Sequence, residues 1–320
     1  MSTAPAGTSI HGLLEQGDEH AGKNDTKAAA AYYQAALKIA QQGFDPAMRG
    51  RLEAAVTYVR HSAECYKDAL RAIVRDRADP AGTDRLQHAV DMLVGERELF
   101  LQGPSAFYFP YLANRQFFER EEFDWVAALE AEAPAIKAEL EAVLGEGADF
   151  QPYVEHDANR PQREFHDLHG DPSWTALYLW KDGQRVESNA GRFPRTMAAL
   201  DRVPMTKIGA KTPAVLFSKL TPGAHIPPHR GMLNCRLIGH LPLIVPEGCW
   251  LRVGNETRGW NEGKLLIFDD SFEHEAKNDS SDTRIILIFD LWRPELSDGE
   301  KTGISAIFDT IDRFTTIPDA

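Results

Sequence analysis

The chain has 320 residues, of which 43% are hydrophobic and 26% charged, and 48 acidic residues outnumber 35 basic ones to leave a formal net charge of −13. This length allows roughly two domains at about 150 residues each, and the composition excludes a small disulfide-stapled fold and extended disorder. The negative charge argues against a nucleic-acid partner, because phosphate binding needs a concentrated positive surface.

The first third of the chain, from Gly12 to about Leu101, predicts helices, because its apolar residues recur at helical spacing. Two amphipathic helices are separated by the polar turn GKND and look like one tetratricopeptide-type hairpin. Two further helices are predicted at Pro46–Arg77, closed by the turn DRADP, and at Asp84–Leu101. A peptide-binding helical array and a plain helical bundle both remain open, because stacked repeats need at least three units and the sequence supports one.

A domain boundary is predicted near Gly103, where the segment QGPSAFYFPYL interrupts the helical pattern. The predicted domains are therefore residues 1–103 and 104–320. The second domain is predicted to begin with one or two helices in FFEREEFDWVAALEAEAPAIKAELEAVLGEG that stop at Gly145. The apolar stripe of this segment consists of Phe123, Val126, Leu129, Ile136, Leu140 and Val143.

Beyond Asp149 the chain changes to short β-rich runs separated by turns. The runs are LYLW, AVLFSKL, NCRLIGHLPLIV, CWLRVG, GKLLIFDD and RIILIFDLW. Such a series predicts an all-β sandwich or barrel. The whole chain is thus predicted to be an α+β multidomain protein, with N-terminal helices followed by a β domain.

The cysteines and the N-terminus indicate where the protein works. Cys65, Cys235 and Cys249 are odd in number and far apart, which favours a reducing compartment over a disulfide framework or a metal knuckle. The segment MSTAPAGTSI has no basic stretch followed by an apolar core, and no run of 18 apolar residues follows it. We expect a cytoplasmic protein with no membrane partner.

Two histidines stand out because each lies where a predicted strand meets a turn: His229 in HIPPHRGMLN and His274 in DDSFEHEAKN. An isolated histidine at such a place is commonly a surface or structural residue. A neighbouring strand changes that view, since the two-residue period of NCRLIGHLPLIV puts Arg236 and His240 on one face, together with Asn234 and Ile238. An arginine and a histidine on one face of an apolar strand must be paired or solvated, which outlines a small anion site.

Arg284 repeats this theme, because it opens the strongly apolar strand RIILIFDLW. From the residues alone, a solvated strand end is a fair alternative for it.

These residues belong to a longer resemblance that runs from about Phe109 to Leu296. It is carried most clearly by GAHIPPHRGMLNCRLIGHLPLIVPEGCWLRVGNETRGWNEGKLLIFDDSFEHEAKNDSSDTRIILIFDLWRPEL. The chain resembles the aspartyl/asparaginyl β-hydroxylase family of iron(II)- and 2-oxoglutarate-dependent oxygenases. The resemblance implies a double-stranded β-helix, a cupin-like jelly roll whose mouth binds iron.

The resemblance implies that His229 and His274 are the two iron ligands, and neutral imidazole suits iron(II). Most oxygenases of this fold add a carboxylate two residues after the first histidine, where this chain has Gly231. A two-histidine site is therefore expected, as in the family branch that hydroxylates Asp and Asn side chains. The nearby acidic residues, namely Asp269, Asp270 and Glu273, are assigned to turn and capping roles.

Ser218, His240 and Arg284 match the positions that hold 2-oxoglutarate, and a guanidinium suits a carboxylate because two donors can meet two oxygens. Arg236 matches a position that contacts the acidic side chain of the substrate. Ile238 is a departure, because it stands where well-known members place a second arginine for 2-oxoglutarate. Trp174 lies where family members carry a substrate-side segment, and we assign it to the core.

The resemblance implies a dioxygenase that uses iron(II), O2 and 2-oxoglutarate, yields succinate and CO2, and hydroxylates Cβ of Asp or Asn. A helical region in front of such a domain favours a peptide or protein substrate. Relatives of this fold also hydroxylate free amino acids and lipid acyl chains, so those substrates stay open. The alternative that is not an enzyme is a helical adaptor fused to a decayed jelly roll, for which Ile238 is the evidence.

Overall fold

The computed structural model describes residues 9–77, 83–147, 149–153, 170–209 and 212–315. Its contacts divide the chain into two compact units, Met1–Glu98 and Leu99–Ala320, which we call the helical unit and the sheet unit. Residues 78–80 of the predicted DRADP turn lie outside the described residues. No helix in the described ranges is both long and apolar enough to cross a bilayer.

The helical unit contains four helices among its described residues. They are α1 (Ile10–Gly22), α2 (Thr26–Ala40), α3 (Arg49–Arg77) and α4 (Thr83–Leu93), with a 3₁₀ turn at Pro46–Met48. Ser9 and Asp25 cap α1 and α2 by accepting backbone N–H groups, each three residues ahead. These caps explain why the polar turn separates the two predicted helices, which the structure confirms.

Small residues allow α1 and α2 to approach closely. A Cβ on Gly17 would lie 2.5 Å from a ring carbon of Tyr33, so the glycine makes room for the tyrosine. The cluster that joins α1, α2 and α3 consists of Leu13, Leu14, Ala29, Tyr33, Ala36, Leu52 and Ala55. The tetratricopeptide character of this hairpin remains a prediction.

The fourth helix is shorter than predicted. It ends at Leu93, whereas the sequence pattern predicted a helix to Leu101. Gly95 follows with φ of 76°, in the left-handed region that ends many helices. The apolar residues beyond it therefore lie outside the helix.

The sheet unit contains all twelve strands and the other four helices of the described residues. The strands are β1 (Phe117–Phe118), β2 (Gln151–Pro152), β3 (Trp174–Lys181), β4 (Gln184–Arg185), β5 (Val215–Leu220), β6 (His225–His229), β7 (Arg236–Ile244), β8 (Cys249–Val253), β9 (Glu256–Gly259), β10 (Leu266–Phe268), β11 (His274–Asn278) and β12 (Arg284–Trp292). The helices are α5 (Val126–Gly145), α6 (Glu187–Ala190), α7 (Pro194–Leu200) and α8 (Asp298–Thr315), and a 3₁₀ turn lies at Arg120–Glu122. All six predicted β-rich runs contain a strand.

The strands form two antiparallel sheets. The larger follows the order β1-β10-β7-β12-β5-β3-β2 with β4 beside β3, and the smaller follows β6-β11-β8-β9. Strands β5 to β12 thus pair from the outside inwards, β5 with β12 and β6 with β11, which is the pattern of an eight-stranded jelly roll. The predicted β-sandwich and its jelly-roll topology are confirmed.

The larger sheet is buried on both faces. Leu237, Leu241 and Leu243 of β7 belong to one cluster with the six predicted stripe residues, of which five lie on α5 and Phe123 precedes it. On the opposite face, Ile286 of β12 and Leu251 of β8 belong to a cluster that joins the two sheets. The inner faces of the two sheets therefore enclose the space in which the predicted site residues meet.

Candidate active site

A cavity of about 360 Å³ opens between the two sheets. Its walls include residues from β5, β6, β7, β8, β11 and β12, and the loop after β6 contributes Arg230, Gly231 and Met232. This volume is within the range of small-molecule sites. The cavity contains all six predicted site residues in its lining: Ser218, His229, Arg236, His240, His274 and Arg284.

His229 and His274 lie side by side in this cavity. His229 ends β6 and His274 begins β11, and the two residues are register partners with ring centroids 4.0 Å apart. The Nδ1 atom of His229 is 2.8 Å from the carbonyl oxygen of Pro227, and that of His274 is 3.0 Å from the carbonyl oxygen of Phe272. A neutral ring that donates from Nδ1 keeps its lone pair on Nε2, the arrangement found in metal-binding histidines.

Burial keeps both rings neutral. It lowers the pKa of His229 to about 3 and that of His274 to about 4, because a charged imidazolium loses its hydration inside the sandwich. Neutral imidazole is the form that binds metals, so no proton has to leave before binding near neutral pH.

Asp270 occupies the space beside Gly231. A Cβ built on Gly231 would lie only 2.0 Å from Oδ2 of Asp270, so no side chain fits at this position while Asp270 stays in place. Within the described ranges, no group of three His, Cys, Asp or Glu side chains is arranged to hold a metal ion.

The turn and capping role assigned to Asp270 is therefore wrong. Its carboxylate lines the cavity and forms a 2.9 Å ion pair with Arg236. Asp269 does accept a turn hydrogen bond from the Ser271 N–H, and it also forms a buried 2.6 Å ion pair with Arg293. Glu273 forms an ion pair with Arg252 at 3.0 Å.

Arg236 is held between two buried carboxylates. Its guanidinium donates to Asp290 as well as to Asp270. Burial alone acts to lower the pKa of Arg236, but the two carboxylates outweigh burial and raise it. Because the carboxylates share one cation, burial still raises the pKa of both. The Nε atom of Arg236 is buried and has no hydrogen-bond partner.

Sequence reasoning missed Asp290. A carboxylate inside the apolar run RIILIFDLW is costly to bury alone, so its position was a usable signal for a buried cation nearby.

Arg284 lies at the other end of the cavity as a buried cation. It is 1% exposed, so the alternative of a solvated strand end is wrong. One Nη atom donates to Ser218 Oγ at 3.2 Å, and the guanidinium packs 5.0 Å from the Trp260 ring centroid. Its Nε has no partner, and no carboxylate pairs with it in the part of the chain that the structure describes. Burial lowers the pKa of Arg284 to about 10.

Three further residues complete this end of the cavity. His240 Nδ1 is buried without a partner, and burial, followed by the charge of Arg284, lowers the pKa of His240 well below its usual value. Ile238 lines the cavity between Arg236 and His240, as the two-residue period predicts. Trp174 also lines it and donates its indole N–H to Ser218 Oγ at 3.2 Å, so the assignment of Trp174 to the core alone is incomplete.

Two other residues differ from expectation. Asn234 was predicted on the face of Arg236, but its side chain hydrogen bonds to the backbone N–H and carbonyl of Phe109. Trp260 was not singled out, because nothing in its sequence neighbourhood indicates that β9 ends beside Arg284.

Comparisons with known proteins match the part of the chain that builds this cavity. The family described as aspartyl/asparaginyl beta-hydroxylase matches residues 130–294. The human aspartyl/asparaginyl beta-hydroxylase is 44% identical over 135 residues, which cover 42% of this chain and 18% of the human protein. The ornithine lipid ester-linked acyl 2-hydroxylase of Rhizobium tropici is 37% identical over 186 residues, covering 57% of this chain and 62% of that protein.

A third relative is the aspartate beta-hydroxylase domain-containing protein 2 of Xenopus tropicalis, 31% identical over 214 residues that cover 65% of this chain and 55% of the relative. The chain thus spans less than two thirds of the length of each of these relatives. Among solved structures, the cupin domain of Schizosaccharomyces pombe Cnp3 aligns over 41% of this chain and 72% of its own length, with 11% identity and a TM-score of 0.27. That score adds nothing to what the strand order establishes.

Proposed function

Since the chain belongs to the aspartyl/asparaginyl β-hydroxylase family, we propose that it is an iron(II)- and 2-oxoglutarate-dependent dioxygenase that hydroxylates Cβ of an Asp or Asn side chain in a peptide or protein. The observation that carries the proposal is a shared cavity of two neutral histidines and the fully buried Arg284, which pairs with no carboxylate among the described residues. The histidines would bind the metal, and the arginine would bind a carboxylate of the cosubstrate.

The histidine pair fits iron(II). Imidazole nitrogen is a common ligand for iron, and the backbone carbonyls that receive the Nδ1–H groups of His229 and His274 fix both ring orientations. Gly231 contributes no ligand, so these two histidines would be the protein's ligands.

The opposite end fits a carboxylate. Arg284 offers a buried Nε–H without a partner, and His240 has a buried Nδ1 without a partner. Ser218 Oγ lies 3.2 Å from an Nη atom of Arg284 and helps to fix the guanidinium. A carboxylate of 2-oxoglutarate would satisfy these groups and balance the charge. Because Ile238 supplies no second cation, Arg284 would carry this role without another arginine.

When bound, iron(II) and 2-oxoglutarate would supply the oxidising chemistry, in which O2 converts 2-oxoglutarate to succinate and CO2 and one oxygen atom enters a substrate C–H bond. The chain's own residues orient the reactants and exclude water. Ile226, Leu251 and Ile286 form an apolar wall of the cavity. Arg236, fixed by its two carboxylates, keeps an Nε–H that would donate to the side-chain oxygen of an Asp or Asn.

The iron and 2-oxoglutarate sites are tested by anaerobic titration of the purified protein with iron(II) and then 2-oxoglutarate. We expect the visible charge-transfer band that an iron(II) chelate of a 2-oxo acid gives, and we expect His274→Ala to lose it. His225→Ala is the matched control, because His225 lies on β6 beside the site but is exposed and pairs with Glu275. No band in the wild-type protein would refute the proposal.

The substrate is tested separately with peptides that contain a central Asp or Asn. We expect a mass increase of one oxygen atom that depends on 2-oxoglutarate, and release of succinate in equal amount. Succinate release without an oxidised peptide would retain the dioxygenase and reject the peptide substrate.

An acyl chain is the second candidate substrate. The Rhizobium tropici relative is named as a lipid acyl hydroxylase and matches more of this chain than the human relative does. Apolar residues also outnumber polar ones in the lining of the cavity, for example Leu216, Ile238 and Ile288. Incubation with an ester-linked acyl lipid in detergent, followed by mass spectrometry of the released fatty acid, tests this candidate.

A further inference from the structure

Three arginines and two aspartates line the cavity among the described residues. Arg236 is matched by both aspartates, and Arg284 is assigned to the cosubstrate carboxylate by the proposed function. Arg230 has no such assignment. It lines the cavity beside His229, and it forms no ion pair within residues 9–77, 83–147, 149–153, 170–209 and 212–315.

Arg230 is held in place by backbone groups. Its Nη1 donates to the carbonyl oxygen of Leu101 at 3.1 Å. The guanidinium lies against Gly103, where a Cβ would come within 2.3 Å of Nη1. Gly103 is itself fixed, because its N–H donates to the carbonyl of Ser271 at 2.9 Å. The side chain is therefore oriented before any ligand binds.

The segment that carries these groups is fastened to the loop after β6. The N–H of Ser105 donates to the carbonyl of Gly231 at 3.0 Å, and the N–H of Phe107 donates to that of Met232 at 3.0 Å. Ser105 and Met232 also line the cavity, and Met232 is 43% exposed. Arg230 thus lies where the cavity meets the surface.

A fixed guanidinium with one of its five N–H donors in use is suited to a carboxylate, which can accept two parallel hydrogen bonds. Among the described residues, no carboxylate lies within ion-pair distance of Arg230, since Asp270 and Asp290 make their ion pairs with Arg236. The charge of Arg230 is therefore available for a group from outside the chain.

We propose that Arg230 binds an acidic side chain of the peptide substrate, next to the residue that is hydroxylated. This inference rests on the proposed function, since it takes His229 as an iron ligand. Arg230 and the two histidines line one cavity of about 360 Å³, which is about two consecutive Cα spacings of 3.8 Å across, so a group bound by Arg230 and a carbon presented to the metal fit neighbouring residues of one peptide. Arg230 is then a specificity-determining residue.

An acidic peptide fits these observations better than an anionic lipid. A bilayer contacts a broad face of a protein, and this chain carries a formal net charge of −13, which disfavours approach to an anionic surface. A single carboxylate senses mainly the charges within about 8 Å at physiological salt, so the net charge of the whole chain affects it less than it affects a membrane surface.

The test compares fluorescein-labelled peptides that have a central Asn and either Glu or Gln on both sides. Binding is measured by polarisation with the full chain, iron(II) and 2-oxoglutarate without O2, and oxygen insertion is measured after O2 is admitted. Arg230→Gln removes the charge but keeps an N–H for Leu101, and Arg230→Lys keeps the charge. Arg195→Gln is the control, because Arg195 is exposed, pairs with Glu132 and does not line the cavity.

We expect the wild-type protein to bind the Glu peptide about tenfold more tightly than the Gln peptide, as one charge-assisted contact implies. Arg230→Gln should lose this preference, Arg230→Lys should keep part of it, and Arg195→Gln should keep all of it. An equal affinity of the wild-type protein for both peptides overturns the inference even if Arg230→Gln does not fold. An unchanged preference in a folded Arg230→Gln protein also overturns it.

The same experiment separates this inference from the proposed function. Equal oxygen insertion into Glu and Gln peptides retains the hydroxylase and rejects the role of Arg230. If the wild-type protein binds the Glu peptide more tightly, loses this preference in Arg230→Gln and inserts no oxygen into either peptide, the role of Arg230 is retained and peptide hydroxylation is rejected. Binding to phosphatidylglycerol vesicles is measured for the wild-type and Arg230→Gln proteins. If this binding requires Arg230 and the peptides show no preference for Glu, the inference is overturned in favour of a lipid.

Discussion

The packing of Asp270 against Gly231 predicts that Gly231→Ala destabilises the sheet unit. The new Cβ would lie 2.0 Å from Oδ2, 2.2 Å from Cγ and 2.6 Å from Oδ1 of Asp270. Ordinary van der Waals contact begins near 3.4 Å. The carboxylate would therefore have to retreat by about 1.4 Å.

This retreat is costly because the carboxylate is both buried and paired. Asp270 is 6% exposed, and its Oδ2 is 2.9 Å from Arg236 Nη2. A shift of about 1.4 Å along the line away from Arg236 would lengthen that distance to about 4.3 Å, beyond the 4.0 Å range of an ion pair. Overpacking a core costs about 1–3 kcal/mol, and breaking a buried ion pair costs about 3–5 kcal/mol. Arg236 keeps Asp290, so we expect a loss of about 3 kcal/mol, or about 6–12 °C in Tm for a domain of this size.

Urea unfolding of the metal-free protein at pH 7 measures this loss. The cycle needs Gly231→Ala, Asp270→Ala and the double variant. In the Asp270→Ala background the obstacle is gone, so we expect Gly231→Ala to cost less than about 0.5 kcal/mol. Gly303→Ala is the control, because a Cβ there meets nothing within 4 Å and the helix favours alanine.

Two results would refute the steric argument. One is a Gly231→Ala protein as stable as the wild-type protein. The other is an equal loss with and without the Asp270 carboxylate, which would place the cause in the backbone at residue 231.

Three further predictions concern the cavity and its walls. Arg284→Gln should abolish the rise in Tm that succinate gives, whereas Arg120→Gln should keep it; an equal rise in both would contradict the carboxylate site. Because the pKa of His274 in the folded protein, about 4, is below its unfolded value of about 6.5, stability from this group is lost as pH falls through that window. Between pH 7 and pH 5, His274 should lower the free energy of unfolding of the metal-free protein by about 2 kcal/mol, so the His274→Gln protein should lose about 2 kcal/mol less than the wild-type protein over this range. Parallel stability profiles of the two proteins would contradict this. Gly239→Ala should cost about 2–3 kcal/mol by urea unfolding, since its Cβ would lie 2.6 Å from the buried Phe289 ring; a loss no larger than that of Gly303→Ala would count against it.

The sequence predicts the elements of the sheet unit well, because their signals are local. Strand β7 alternates between leucines that face α5 and the side chains of Arg236, Ile238 and His240 that face the cavity. The apolar stripe of α5 repeats at helical spacing, and its five predicted residues are buried, as is Phe123 before the helix. Both patterns follow from side-chain periods of 2 and 3.6 residues, which need no knowledge of the partners.

The pairing of charges could not be predicted in the same way. Arg236 meets Asp270, 34 residues away, and Asp290, 54 residues away, only because β7 lies beside β12 and the turn before β11 reaches the same cavity. A sequence pattern contains no strand order, so Asp270 was assigned to a turn and Asp290 was overlooked. The end of α4 is a different case: the left-handed Gly95 stops the helix locally, and the apolar residues beyond it concealed that signal.

Arg236 and Arg284 of the cavity differ in whether carboxylates of the described residues pair with them. Arg236 makes ion pairs with Asp270 and Asp290 within the chain, so its charge needs no ligand to offset it. Arg284 is not balanced, and lowering its pKa from 12.5 to about 10 corresponds to about 3 kcal/mol that burial of the cation costs the folded protein. A bound carboxylate would remove this cost, so the same residue that destabilises the empty cavity would strengthen ligand binding. A buried charge without a partner is typical of functional sites, which favours a ligand-binding cavity over a decayed jelly roll.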